Sequence, residues 1–142
     1  MSNMLEAQMG ITVVRPVVVK AIVTETFKKQ YLAELEDTVK RLDAVIAQID
    51  VQIRRAELER QVSPQVRAFR QQLEVERSRQ EAARMELQAR IKEAEALELN
   101  SEFSQGTIEG LVDLSVGDNF FVRLARTEVV IKDGIVIEIR EG

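Results

Sequence analysis

From Leu32 to Ala56 the apolar positions are Leu32, Leu35, Val39, Leu42, Ile46, Ile49, Ile53 and Ala56, spaced alternately three and four residues apart. Sustained over more than three heptads and flanked by Lys, Arg, Glu, Asp and Gln, that rhythm predicts a long amphipathic helix with an a/d seam. Thr24 or Thr26 is placed to cap it, since either hydroxyl can accept a bond from an orphan amide of the first turn. Ser63-Pro64 then stops the helix and starts another: proline cannot continue a helix, yet its missing N–H costs nothing at the first position of a new one. The second helix is expected from Pro64 to about Leu97, roughly 50 Å long at ~1.5 Å per residue. The turn, and so the tip of the resulting hairpin, falls at 61–64.

Folding the two helices about residues 62–63 sets Val39 near Leu87, Leu35 near Ile91 and Leu32 near Ala94, with Ile53 and Ala56 near Val66 and Phe69. The middle matches less well. There Leu42, Ile46 and Ile49 face Glu76 to Arg84, a stretch whose apolar members are Ala82 and Ala83. The seam of the first helix therefore has a surplus at Leu42, Ile46 and Ile49, and a surplus stripe is expected to be covered by a helix of another copy. The alternative is that long Arg and Gln stems lie over the isoleucines.

Outside the hairpin the rhythm changes to that of strands. Ile11 to Val23 is dense in β-branched residues, with Val17, Val19, Ala21 and Val23 on one face and Val18, Lys20 and Ile22 on the other. Pro16 lacks an N–H and belongs at a strand start, a bulge or a sheet edge. Residues 1–10 have no periodicity and read as a disordered leader. Leu99 to Gly106 reads as a connector, and 107–116 alternates as a half-buried strand. Gly117-Asp118-Asn119 supplies a turn and a cap for a short helix from Phe120 to Ala125. Thr127–Lys132 and Ile135–Arg140 flank Asp133-Gly134, a strong type I′ hairpin signal, which sets Val130 opposite Ile137 and Ile131 opposite Val136.

The fold class is α+β: a long antiparallel coiled-coil hairpin, 25–98, inserted into a small antiparallel β-sheet of one N-terminal and three C-terminal strands, 11–24 and 99–142. The sheet portion holds only about 60 residues, a size at which a core is marginal without staples. With no cysteine in the chain, self-association is the expectation, and the protein reads as a homo-oligomer.

The chain also has no histidine. Together these absences remove thiolate nucleophiles, imidazole bases and zinc sites of nitrogen or sulfur ligands. Glu109, Asp113 and Asp118 are the best-placed carboxylates for an oxygen-ligand cation, yet a strand's polar face and an ordinary turn account for them. The glycines assemble no phosphate cradle. No catalytic, cofactor or metal site is expected, and no small-molecule substrate.

A net charge of −4 argues against wholesale nucleic-acid binding, but the charge is not evenly spread. Around the tip, Arg54, Arg55, Arg60, Arg67 and Arg70 outnumber Glu57 and Glu59, whereas residues 100–142 carry eight acids against four bases. A basic tip suits phosphate or an acidic protein surface. No signal-peptide pattern opens the chain, and Arg15, Pro16 and Lys20 interrupt the first apolar run, so a cytoplasmic protein without membrane contact is expected.

Three segments, RPVVVKAIVTETFKKQ, ELNSEFSQGTIEGLVDLSVGDN and TEVVIKDGIVIEIR, resemble the YlqD family of small bacterial and cyanobacterial proteins over nearly the whole chain. The GDN and KDGIVxEIR segments are the most specific. The resemblance names no reaction and carries over no catalytic residue. Members encoded near ribosome-maturation and RNA-binding proteins imply work on ribosomes or RNA. The function expected from the residues is a non-enzymatic, oligomeric coiled-coil scaffold or binding protein, chaperone-like in shape; the alternative is an RNA- or ribosome-associated factor using the basic tip.

Overall fold

The computed structural model describes residues 9–59 and 63–141, and the chain divides into two compact units. One comprises the segments before and after the helices, up to Phe27 and from Glu98 onward; the other is Lys28–Leu97.

The first unit is a four-stranded sheet of β1 (Gly10–Ile22), β2 (Glu102–Ser115), β3 (Thr127–Lys132) and β4 (Ile135–Glu141), in the order β2-β1-β3-β4. As expected for α+β, one N-terminal and three C-terminal strands build it, but it is mixed: β1 pairs antiparallel with β2 and parallel with β3. Alternation fixes which face a side chain takes and says nothing of strand direction, so the parallel pair was beyond the sequence pattern. Gly10 already belongs to β1, so the leader expected over 1–10 ends earlier; residues 1–8 lie outside the described set.

β2 begins at Glu102, inside the segment read as a connector. A bulge permits this: Val19 pairs with Gly106 and Lys20 with Ser104, leaving Gln105 as the extra residue. Farther along, Gly110 lies where a Cβ would come within 2.8 Å of Val17 Cγ2, so the valine packs directly on backbone. Asp133 and Gly134 have φ of 47° and 82°, the two positive values of the type I′ turn. Ile131 faces Val136 as expected, while Val130 faces Glu138 rather than Ile137 because a second bulge follows it. The short helix α3 spans Phe120–Arg123, capped by Asn119, whose Oδ1 accepts from Val122 N at 3.1 Å.

Central strands carry the core. Val17, Val18, Ala21, Val23, Val112 and Val130 are buried, Val23 and Val130 completely. The Phe27 and Phe103 rings stand 5.5 Å apart at 53°. Thr24 Oγ1 accepts from Phe27 N at 3.0 Å, the helix cap, and donates to Asp133 Oδ1 at 2.6 Å. One hydroxyl thus ties the helix start to the turn between β3 and β4.

The second unit is the helical pair α1 (Glu25–Glu57) and α2 (Pro64–Glu95), α1 entering it at Lys28. Ser63 caps α2 by accepting from Val66 N at 3.2 Å, with Pro64 in the first turn; residues 61 and 62 of the expected tip are outside the described set. Three cross-helix ion pairs set the register: Asp43 with Arg84, Asp50 with Arg77 at 2.6 Å, and Glu57 with Arg70 at 3.0 Å. Successive members stand seven residues apart on each helix, so the ladder follows the heptad.

Candidate functional site

All eight seam positions of α1 are buried or half-buried, and Ile46 and Ile49 are only 8% and 7% exposed. The surplus stripe expected at Leu42, Ile46 and Ile49 is therefore absent: Leu42 is half-buried and both isoleucines are covered within the chain. Val66, Leu73, Gln80, Leu87 and Ala94 form a heptad row on α2 that is buried or half-buried throughout. Leu73 is buried and Gln80 half-buried on the same row, and Arg77 and Arg84 reach across to aspartates on α1.

The end of the hairpin is different. Arg54 and Arg55 lie in the last turn of α1, and Arg67 and Arg70 in the first two turns of α2, all exposed; Arg60 lies outside the described residues. Arg70 is held by Glu57 and by Glu74 at 3.4 Å. Arg54, Arg55 and Arg67 have no ion-pair partner among the described residues. A groove of about 290 Å³, lined by Gln52, Arg55, Ala56, Glu59, Val66 and Phe69, runs beside them. Phe69 is 51% exposed and Leu58 80%. The sequence placed Phe69 and Val66 against Ile53 and Ala56 but did not show that this end of the seam stays open. The signal was there: Leu58 stands off the a/d pattern, one residue beyond the helix.

In the sheet unit the carboxylates singled out by spacing do not converge. Asp113 Oδ1 accepts from Thr12 Oγ1 at 2.7 Å, and Asp118 Oδ2 accepts from Ser115 N at 2.9 Å. Glu109 is exposed opposite Pro16. Among the described residues no three acidic groups gather as a metal site would need.

A charged cluster that spacing did not reveal covers one sheet face. Register puts Val18, Lys20, Glu128, Val130, Glu138, Arg140 and Glu102 on that face. Arg140 donates to Glu102 and Glu138, and Lys20 pairs with Glu128 at 3.2 Å. The hydrogen bond from Arg140 and then its charge and that of Lys20 hold the Glu102 carboxyl below its ordinary range; Lys20, by hydrogen bond and charge, does the same for Glu128, helped by Arg126 and Arg140. The two glutamates raise no barrier to burying Val18 and Val130 because their charges are matched. On the other face, a cavity of about 320 Å³ is bounded by Arg15, Phe121, Val122, Ala125 and Glu141. There Arg15 Nη1 donates to the Arg123 carbonyl at 3.1 Å, Nη2 lies 3.8 Å from Glu141, and the buried Nε has no partner among the described residues.

No helix among the described residues is long and apolar enough to cross a membrane. Fold and geometry together define a class: an α+β protein in which a heptad helical hairpin interrupts a four-stranded mixed sheet between its first and second strands. The chain belongs to the YlqD family, whose model, described as YlqD protein, matches residues 11–140. It is 28% identical over 129 residues to the Bacillus subtilis (strain 168) protein called Uncharacterized protein YlqD, covering 91% of this chain and 98% of that one. It also shares its fold with a protein of unknown function from Synechococcus sp. WH 8102, known from a crystal structure: TM-score 0.77, 24% identity, 94% of this chain and 96% of the other.

Proposed function

We propose that this chain is a non-enzymatic, self-associating binding protein of the cytoplasm, whose sheet unit joins copies and whose hairpin end holds a protein partner. The observation that carries the reading is the open apolar end of the hairpin, where Leu58 and Phe69 stand exposed beside Arg54, Arg55 and Arg67. Apolar side chains next to cations with no ion pair among the described residues suit a partner segment that is itself apolar with acidic flanks, as a chaperone-like holder would meet on an unfolded chain. The carboxylates that could have served chemistry are engaged by Thr12 and Ser115. A direct test follows aggregation of reduced insulin by light scattering. The full-length protein is expected to suppress it, and a Leu58→Ser, Phe69→Ser double variant with unchanged helicity is expected not to. Equal suppression by both proteins rejects the hairpin end as the binding surface.

The three arginines without carboxylate partners among the described residues support a second reading, contact with RNA or the ribosome. In that case, changing Arg54, Arg55 and Arg67 to Glu abolishes co-sedimentation with ribosomes, and raising salt does the same to the unaltered protein. The serine variant tests the first reading and the glutamate variant the second.

A further inference from the structure

β4 is an edge strand whose one neighbour among the described strands is β3, and the devices that keep edges apart are few in it: a bulge at Ile137 and the charges of Glu138, Arg140 and Glu141. It has no proline and no lysine. Ile135, Val136, Ile137 and Ile139 are all more than half exposed, Ile139 at 63%. The opposite edge, β2, is blunted by its bulge at Gln105 and by Glu102, Glu109 and Asp113. Resting on the reading that the sheet unit self-associates, we propose that β4 pairs antiparallel with β4 of a second copy about a two-fold axis at Ile139, joining two four-stranded sheets into one of eight.

Charge selects both the occupant and the register. A two-fold axis at Ile139 sets Glu138 of each copy opposite Arg140 of the other, and Ile139 against its own equivalent. An axis at Glu138 would oppose like charges, and one at Ile137 would set Glu138 against Val136 and gain no ion pair; the axis at Ile139 sets Ile137 against Glu141 but gains the Glu138–Arg140 pair twice. Over Glu138–Arg140 the sequence of β4 is thus complementary to itself, which is what an isologous interface requires. Glu138 and Arg140 share the sheet face that already carries the Glu102 and Glu128 network, so the new pairs extend an existing charge lattice. Cross-strand opposite charges and apolar pairs are the units by which such a junction is stabilised.

Because the chain has no cysteine, one introduced thiol reports on the axis. Opposite residues of an antiparallel pair have Cα atoms ~4.5–5.5 Å apart, within disulfide reach. We expect the full-length protein to have twice the chain mass by light scattering. Ile139→Cys should form a covalent dimer on mild oxidation, Leu111→Cys on β2 should not, and Glu138→Arg should give a folded monomer by circular dichroism. A wild-type monomer overturns self-association and this interface together. A wild-type dimer that cross-links through Leu111→Cys and not Ile139→Cys overturns the β4 junction while leaving self-association standing.

Discussion

The hairpin unit and the sheet unit handle apolar surface in opposite ways. Of the twenty large apolar side chains exposed among the described residues, six lie in the hairpin and fourteen in the sheet unit, although the two are of similar size. The hairpin spreads one seam along two helices, and its heptad rows are buried or half-buried within one chain, with exposed apolar side chains at its end, Leu58 and Phe69. The sheet unit spends its valines on β1 and the facing positions of β2 and β3, and the outer strands keep exposed apolar side chains, Ile108 and Leu111 on β2 and Ile135, Val136, Ile137 and Ile139 on β4. A narrow seam can be closed by long polar side chains, whereas a sheet edge also carries backbone groups that bond to water until another strand takes them.

Charging the hairpin seam is expected to have the largest effect. Ile46→Glu with Ile49→Glu buries two carboxylates without partners and is expected to cost on the order of 4 kcal/mol or more. Loss of most of the ellipticity at 222 nm is the expected result. If helicity stays intact and only the oligomer mass changes, the seam is not closed within the chain. Leu73→Ala, which empties the buried position on α2 nearest the open end, is expected to cost about 3 kcal/mol in urea unfolding. A value near zero would mean that the end of the seam is already loose.

Acid separates the units by a different route. Glu102 and Glu128 have carboxyls held below their ordinary range in the fold. Their contribution is therefore present above the unfolded carboxylate pKa of roughly 4.3 and is lost as pH falls through the depressed folded values. A thermal midpoint that declines below about pH 4, with a shallower decline in Arg140→Met, is the expected pattern; equal slopes would remove Arg140 as the cause. The smallest effect runs the other way. Thr127 is 4% exposed and its Oγ1 has no hydrogen-bond partner among the described residues. Thr127→Val removes an unsatisfied hydroxyl at nearly constant shape and should stabilise the sheet unit by about 1 kcal/mol. A loss of that size would show that the hydroxyl has a partner in solution.

Much of the fold is legible wherever one local rule decides the outcome. The a/d spacing of Leu32 to Ala56 gave α1, Ser63-Pro64 gave the restart and its cap, and Asp133-Gly134 gave the hairpin turn. The misses lie where two distant segments have to be read together. Asp43, Asp50 and Glu57 recur every seven residues, as do Arg70, Arg77 and Arg84, yet the ladder appears only when the two rows are aligned antiparallel. Reading Glu76 to Arg84 for apolar residues alone concealed Leu73 and Gln80 as members of a heptad row, and so produced a surplus at Ile46 and Ile49 that the structure does not have. Ser101 to Gly106 is rich in turn formers, but pairing with β1 and a one-residue bulge override that preference. The arginines around the tip were visible from composition, whereas the groove beside Phe69 depends on where α1 stops.

The strand order also has a consequence in time. β1 is the inner strand that holds β2 on one side and β3 on the other, but it is made first, and β2 starts 80 residues after β1 ends. At synthesis rates of about 5–20 residues per second, β1 waits on the order of 4–16 seconds for its first neighbour. During that interval it is a β-prone, valine-rich segment with both edges bare, the kind of segment that seeds aggregation. Arg15, Pro16 and Lys20 break its apolar run into short pieces, and in the nascent chain they act as gatekeepers for a strand whose partners do not yet exist.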